Sequence, residues 1–183
     1  MKHIMLDLET LGTTADAVIL SIGAVRFDLE KGLISDEGFY SSVSVASNLE
    51  HDRRLSEDTL KWWFKQSHDA QKVFFEPKEH LVDSLVHLHD WIGKTKGDPI
   101  VWSNGADFDL PMLSHAFVSV GMEVPWKFWN SKCFRTYKNL PGAKDAKLPE
   151  MGVKHNALAD AYSQAQTVCA IHAALFPTTK AKK

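Results

Sequence analysis

The chain holds 183 residues, 44% hydrophobic and 24% charged. This excludes a disordered polymer and fits one globular domain that buries about 70% of its unfolded surface without needing a disulfide or structural zinc. Lys and Arg number 21 against 23 Asp and Glu, and the net charge of −2 excludes a broadly basic protein that coats long duplexes. Any phosphate it handles must be met locally, by a few basic side chains or by bound metal.

In chain order, His3 to Glu9 reads as a strand, with Ile4, Leu6 and Leu8 alternating onto one face. A second apolar run, Ala17 to Phe27, and a third, Phe39 to Val45, lie either side of the Lys31-Gly32 turn, so the first three strands form an antiparallel meander. Ser56 is placed to cap a helix whose first turn carries Glu57 and Asp58 and whose buried stripe is Leu60, Trp63 and Phe64. After Pro77, Leu81, Leu85, Leu88 and Ile92 recur at helical spacing within Lys78 to Ile92, and Gly93 closes that helix. Pro99 to Trp102 is a short buried strand, and a helix over Leu110 to Val120 stops at Gly121. The segment from Trp126 to Lys154 is irregular, with one more strand near Lys132 to Thr136. The last helix, Ala157 to Leu175, ends ahead of Pro177. The order specifies an α/β fold, a mixed sheet flanked by helices. One domain spans residues 1–177, and Thr178 to Lys183 form a polar tail.

Cys133 and Cys169 form no CxxC pair and no zinc-ligand spacing, so both are expected as reduced thiols. No apolar run approaches the ~18 to 20 residues of a membrane span. Met1-Lys2-His3 leads straight into a strand that carries acids by Asp7, unlike a signal peptide. The expected location is the cytoplasm.

Asp7 and Glu9 stand at i and i+2 of the first strand and project from one face, with attachment points about 7 Å apart. Two negative charges at that distance repel by about 2 to 3 kcal/mol at an effective dielectric near 20, which a shared cation would relieve. Taken alone, the pair equally suits a solvated sheet face. Asn104-Gly105-Ala106-Asp107-Phe108-Asp109 follows a buried strand and places an acid at a strand-to-helix junction, where Pro111 fits the first turn. Asp109 directly precedes the apolar helix face and is preferred to Asp107; an ordinary N-cap is the alternative. In His155-Asn156-Ala157-Leu158-Ala159-Asp160, a continuous helix would turn His155 and Asp160 about 140° apart. Asn156 as N-cap resolves this, leaving His155 on the loop and Asp160 in the first turns. In isolation, a surface histidine and a dipole-favoured aspartate would look the same.

The ordered set Asp7-Leu8-Glu9-Thr10, Phe108-Asp109 and His155 with Asp160 spans almost the whole chain. It resembles the DnaQ-like 3′–5′ exonucleases of the DEDDh group, which have the RNase H-like fold. Within that superfamily, Thr59-Leu60-Lys61-Trp62-Trp63 and Trp102-Ser103-Asn104-Gly105 are similar to the phage DexA and Rv2179c-like exonucleases. The resemblance implies that Asp7, Glu9, Asp109 and Asp160 hold two divalent metal ions and that His155 is the general base. It also implies release of nucleoside 5′-monophosphates from the 3′ ends of single-stranded DNA or RNA. Oxygen ligands without thiolates favour Mg²⁺ or Mn²⁺ over zinc, and four carboxylates against two dications leave a neutral site for the phosphodiester.

In relatives, main chain at the position of Thr10 contacts the terminal nucleotide and an apolar side chain wedges against the last base. Thr10, Leu11 and Phe108 are accordingly expected at the substrate, although many relatives place the bulky residue after the glycine and here Leu11 precedes Gly12. Adjacent helical residues cannot all face inward, so Trp62 is a candidate stacking platform, with core packing as the alternative. From Lys127 to Lys154, seven basic residues and two acids are interleaved with Phe128, Trp129, Phe134 and Tyr137, as either a strand guide or a solvated loop. A homodimer is expected from the relatives alone. Two further readings are an oligoribonuclease-like hydrolase of short oligoribonucleotides and a catalytically silent nucleic-acid-binding module. All five expected polar residues are present, against the latter. A zinc hydrolase is disfavoured because the nine histidines show no ligand cluster, and His87 and His89 point apart on a helix.

Overall fold

The computed structural model describes residues 1–105, 107–146 and 155–177. The expected tail, 178–183, lies outside them. β1 (His3–Thr10), β2 (Ile19–Asp28) and β3 (Leu33–Ser42) form the antiparallel meander, and β4 (Ile100–Ser103) and β5 (Ser131–Cys133) extend the sheet in parallel on the other side of β1. The order is β3-β2-β1-β4-β5, so β1 is central.

Strand alternation sends successive side chains to opposite faces. Ile4, Leu6 and Leu8 pack with Leu81, Leu85 and Leu88 of α4 (Leu81–Gly93) and with Leu113 and Phe117 of α5 (Asp109–Ser119). Met5, with Val25 and Phe27 of β2, meets Ala161, Ala165 and Val168 of α7 (Ala157–Leu175). A third cluster beyond the end of β1 joins Leu11, Val18 and Leu20 to Trp63 of α2 (Glu57–Trp63). Two caps lie where the side-chain chemistry puts them: Ser56 Oγ accepts from Thr59 N–H and Asn156 Oδ1 from Ala159 N–H.

Several boundaries differ from expectation. β3 begins at Leu33 and ends at Ser42, because Ser44 caps a short α1 (Val45–Leu49) that takes Val45 out of the strand. α4 starts at Leu81: Glu79 is bridged to Val43 and His80 takes the cap position. The strand expected near Lys132 to Thr136 stops at Cys133, where its partner β4 also ends, and the chain turns into α6 (Phe134–Lys138). Phe64 is 78% exposed, since Trp63 takes the inward position at the end of α2. A short α3 (His68–Gln71) follows, capped by Ser67.

Gly23 of β2 pairs opposite Asp7 and lies directly under the start of α7. A Cβ there would come within 2.2 Å of the Ala157 carbonyl carbon and 2.3 Å of Leu158 N, so only a bare backbone lets the helix sit this low. Gly23→Ala is expected to cost about 1–3 kcal/mol, since the obstructing atoms are backbone and cannot swing aside. Urea denaturation measures it; an unchanged midpoint would mean that the helix seat is loose.

Candidate active site

β1 presents Asp7 and Glu9 on the face that α7 covers, and Asp160 descends from the first turns of that helix. One carboxylate oxygen from each of the three lies within 4.8 Å of the others. Glu9 is 7% exposed, so this is a covered cleft and not a solvated sheet face. Asp109 enters from the other side. The β1–β4 ladder pairs only His3, Ile4 and Met5, so β1 outruns its neighbour, and Asp109 Oδ1 accepts from the Leu8 amide beyond that ladder at 3.1 Å. Phe108 occupies the cap position of α5 and Asp109 is its first residue, 2% exposed. Asp107 is exposed and lines neither of the two cavities at the site.

His155 sits just outside α7 with φ 63°, a left-handed conformation. Its amide donates to Asp160 Oδ2 at 2.9 Å, which ties the loop residue to the helical acid. Its ring stands perpendicular to Trp62 at 5.0 Å between centroids. Gln164, one turn beyond Asp160, donates from Nε2 to Asp7 Oδ1 at 2.7 Å. Sequence reasoning missed this residue, although the Asp160–Gln164 spacing of i, i+4 put both on one face.

A cavity of about 450 Å³ is lined by Asp7, Glu9, Asp109, His155 and Asp160 together with Arg135 and Lys138. A second, of about 420 Å³, is lined by Glu9, Thr10, Trp62, Trp63 and Phe108. Trp62 is 42% exposed, and the Trp63 indole N–H holds the Thr10 carbonyl at 2.9 Å. Leu11 is a correction to the expected substrate contacts: it is 2% exposed, belongs to the Val18–Leu20–Trp63 cluster and lines neither cavity. The register slip between Glu9 and Thr10 accompanies this inward turn, as a bulge re-aims the side chains that follow it.

Crowding the acids out of water disfavours their charged forms. Burial, then the nearby Asp109 and Glu9, push the Asp7 carboxyl well above the usual carboxylate range, against the Gln164 hydrogen bond. Burial, with Asp160 and Asp109 alongside, pushes Glu9 up to about 8. Asp109 rises by burial only to about 6, since the Leu8 amide and the Arg135 charge favour its ionised form. A covered cluster of hard oxygen donors under mutual repulsion fits a divalent cation of the Mg²⁺ or Mn²⁺ type, which would neutralise it.

The sign of the pH dependence follows. Glu9 has a folded-state pKa of about 8 against an ordinary value of 4.5, so its penalty on folding is absent below that ordinary value and grows as pH climbs towards 8. In EDTA the thermal midpoint is expected to fall across that window. Mn²⁺ should raise it, and more at about pH 8 than at about pH 5.5. Asp7→Asn should raise the metal-free midpoint at the higher pH and remove the response to Mn²⁺. A cation response that survives in Asp7→Asn would place the ion elsewhere.

Residues 2–172 match the family described as the 3′-5′ exoribonuclease Rv2179c-like domain. The chain belongs to that family. An exodeoxyribonuclease of Enterobacteria phage T4 is 24% identical over 159 residues, covering 74% of this chain and 70% of the phage protein. Among solved structures, the nuclease domain of 3′hExo, a DEDDh family member bound to rAMP, superposes with a TM-score of 0.60 at 14% identity, covering 91% of this chain and 89% of that one. The zinc-bound E. coli ExoI–ssDNA complex superposes with a TM-score of 0.63 at 15% identity, covering 89% of this chain. This family member spans only 38% of that ExoI chain and 62% of the cell-death related nuclease CRN-4, which superposes with a TM-score of 0.61 at 13% identity. The fold is that of the RNase H-like DEDDh exonucleases. Among the described residues, no helix is long and apolar enough to cross a membrane.

Proposed function

We propose that this family member is a divalent-cation-dependent 3′–5′ exonuclease that removes nucleoside 5′-monophosphates from single-stranded DNA or RNA. The observation that carries the reading is the convergence of Asp7, Glu9 and Asp160 within 4.8 Å, with Asp109 anchored on the same strand and His155 tied to Asp160. Family membership and the phage exodeoxyribonuclease likeness support it.

Asp7, Glu9, Asp109 and Asp160 would hold two cations, Mg²⁺ or Mn²⁺. When bound, these supply Lewis-acid activation of water and neutralise charge on the departing 3′ oxygen. His155 takes the proton of the attacking water as general base. Its position rests on the Asp160 contact behind it and on Trp62 at its side, so the ring is held on the cleft wall without being a helical residue. Gln164 orients Asp7 through its side-chain amide. Thr10, Trp62 and Phe108 form the chamber for the terminal nucleoside, where a base can lie against aromatic surface.

Matched single-stranded DNA and RNA oligonucleotides, labelled at the 5′ end, test this in Mg²⁺, Mn²⁺ and EDTA. The expected product is a ladder that shortens from the 3′ end, with no turnover in EDTA. Asp7→Asn should abolish hydrolysis, and His155→Ala should slow it by roughly 10²-fold with cation binding retained. Undiminished hydrolysis by Asp7→Asn, or an unchanged rate in His155→Ala between about pH 6 and 9, would remove that residue from the mechanism.

A further inference from the structure

Within the exonuclease reading, on which this inference rests, the two cavities meet at Glu9, since Leu8, Glu9 and Phe108 line both, and Asp7, Asp109 and Asp160 lie on one side of that junction. The two differ in chemistry. Around the aromatic one the charged groups are Glu9 and Asp58, with no cation among the described residues that line it. The other holds all four acids and, beside them, the cations Arg135 and Lys138. An enzyme that removes one nucleotide per event puts a single nucleoside on one side of the scissile phosphate. The remaining chain, with every further phosphate, lies on the other. Base and sugar suit the aromatic chamber, and a phosphate-bearing chain suits the cavity where cations are offered beside the metal-binding acids.

Arg135 is mounted for this. Its neighbour Phe134 is buried and anchors α6, and its own Nη2 donates to the Asn104 carbonyl at 2.8 Å. The guanidinium lies against Gly105, whose φ is 145°; a Cβ at that residue would come within 3.3 Å of Nη2 and 3.4 Å of Cζ. Ser103 Oγ donates to the Gly105 carbonyl at 2.8 Å and fixes the turn beneath. Bonding one nitrogen to Asn104 leaves the other N–H groups of the fork for an anion. Lys138 follows at i+3 on the same helix, its Nζ 5.0 Å from the Phe134 ring centroid. Among the described residues neither cation is paired with a carboxylate, whereas Lys31, Lys61, Lys72 and Lys127 each are.

We propose that Arg135 and Lys138 bind the first phosphodiester on the 5′ side of the scissile linkage, and so make the enzyme selective for substrates that carry this second phosphate. A dinucleotide with a 5′-hydroxyl has only the scissile phosphate; its 5′-phosphorylated counterpart adds one where the next linkage would lie. In the wild type, kcat/KM is expected to favour the phosphorylated form by about tenfold or more. In Arg135→Ala/Lys138→Ala this ratio should fall towards one, mainly through KM, and Arg135→Lys should keep part of it. A wild-type ratio near one, or a ratio unchanged in the double variant, overturns the proposal. If the wild type cleaves neither dinucleotide, the labelled oligonucleotide ladder decides the exonuclease reading, and binding decides this proposal. Anisotropy of a 5′-labelled single-stranded oligonucleotide in Mn²⁺ should then show at least a tenfold weaker complex in the double variant, with the slope against log salt reduced by about 0.7 for the one phosphate lost. Equal affinity and slope would overturn the proposal there too.

Discussion

Asp160 reaches the acids of β1 because the first turn of α7 lies backbone to backbone on β2. Gly23 permits that approach at one point, and the small side chains Ala157, Ala161 and Ala165, all fully buried, continue it along the helix. From this one seat follow the residue just before the cap, His155, and the residue one turn past Asp160, Gln164. Three polar groups of the cleft are therefore positioned by a packing contact that contains no polar group itself. Were the helix to stand a methyl group further from the sheet, Asp160 and Gln164 would both withdraw from Asp7.

The same approach creates the electrostatic tension that defines the cleft. Covering Asp7 and Glu9 with a helix removes the water that would otherwise screen them. The tension is uneven. Asp109 is relieved by the Leu8 amide and by Arg135, and its carboxyl rises only to about 6, whereas Glu9 is buried beside Asp160 and Asp109 and reaches about 8. Asp109 thus serves the fold as well as the site, capping an amide that β4 is too short to reach. A chain of net charge −2 can handle phosphate because positive charge is needed only at this one place.

How much of this was legible in the sequence depended on range. Period-two alternation placed Asp7 and Glu9 on one face, and the Asn156 cap separated His155 from the helix that carries Asp160. The bounds of α7 were readable because Pro177 and the cap bracket a long periodic run. The choice between Asp107 and Asp109 was not settled locally: it turns on β1 outrunning β4, a register between segments about a hundred residues apart in the chain. Leu11 was misplaced for a similar reason, since a slip in the β1–β2 pairing is invisible in composition. Phe64 and Trp63 carry equal apolar weight, and only the third dimension decides which of two neighbours turns inward. Gln164 was within reach, but an amide does not advertise itself as part of an acidic site.

The placement of Trp62 ties these parts together. It lines the aromatic chamber and also stands edge-on to His155, while Trp63 beside it is buried and holds the Thr10 carbonyl. One helix, α2, therefore buttresses both the proposed base and the floor on which a terminal nucleoside would rest. α6 presents Arg135 and Lys138 in the cavity that holds the acids. In the proposed reading the direction of the strand follows from this division and from nothing else in the fold. Among the described residues the aromatic chamber offers no cation to a second phosphate, whereas the other cavity offers two, so the remaining linkages run towards Arg135. Polarity is then a consequence of where positive charge is withheld as much as of where it is supplied.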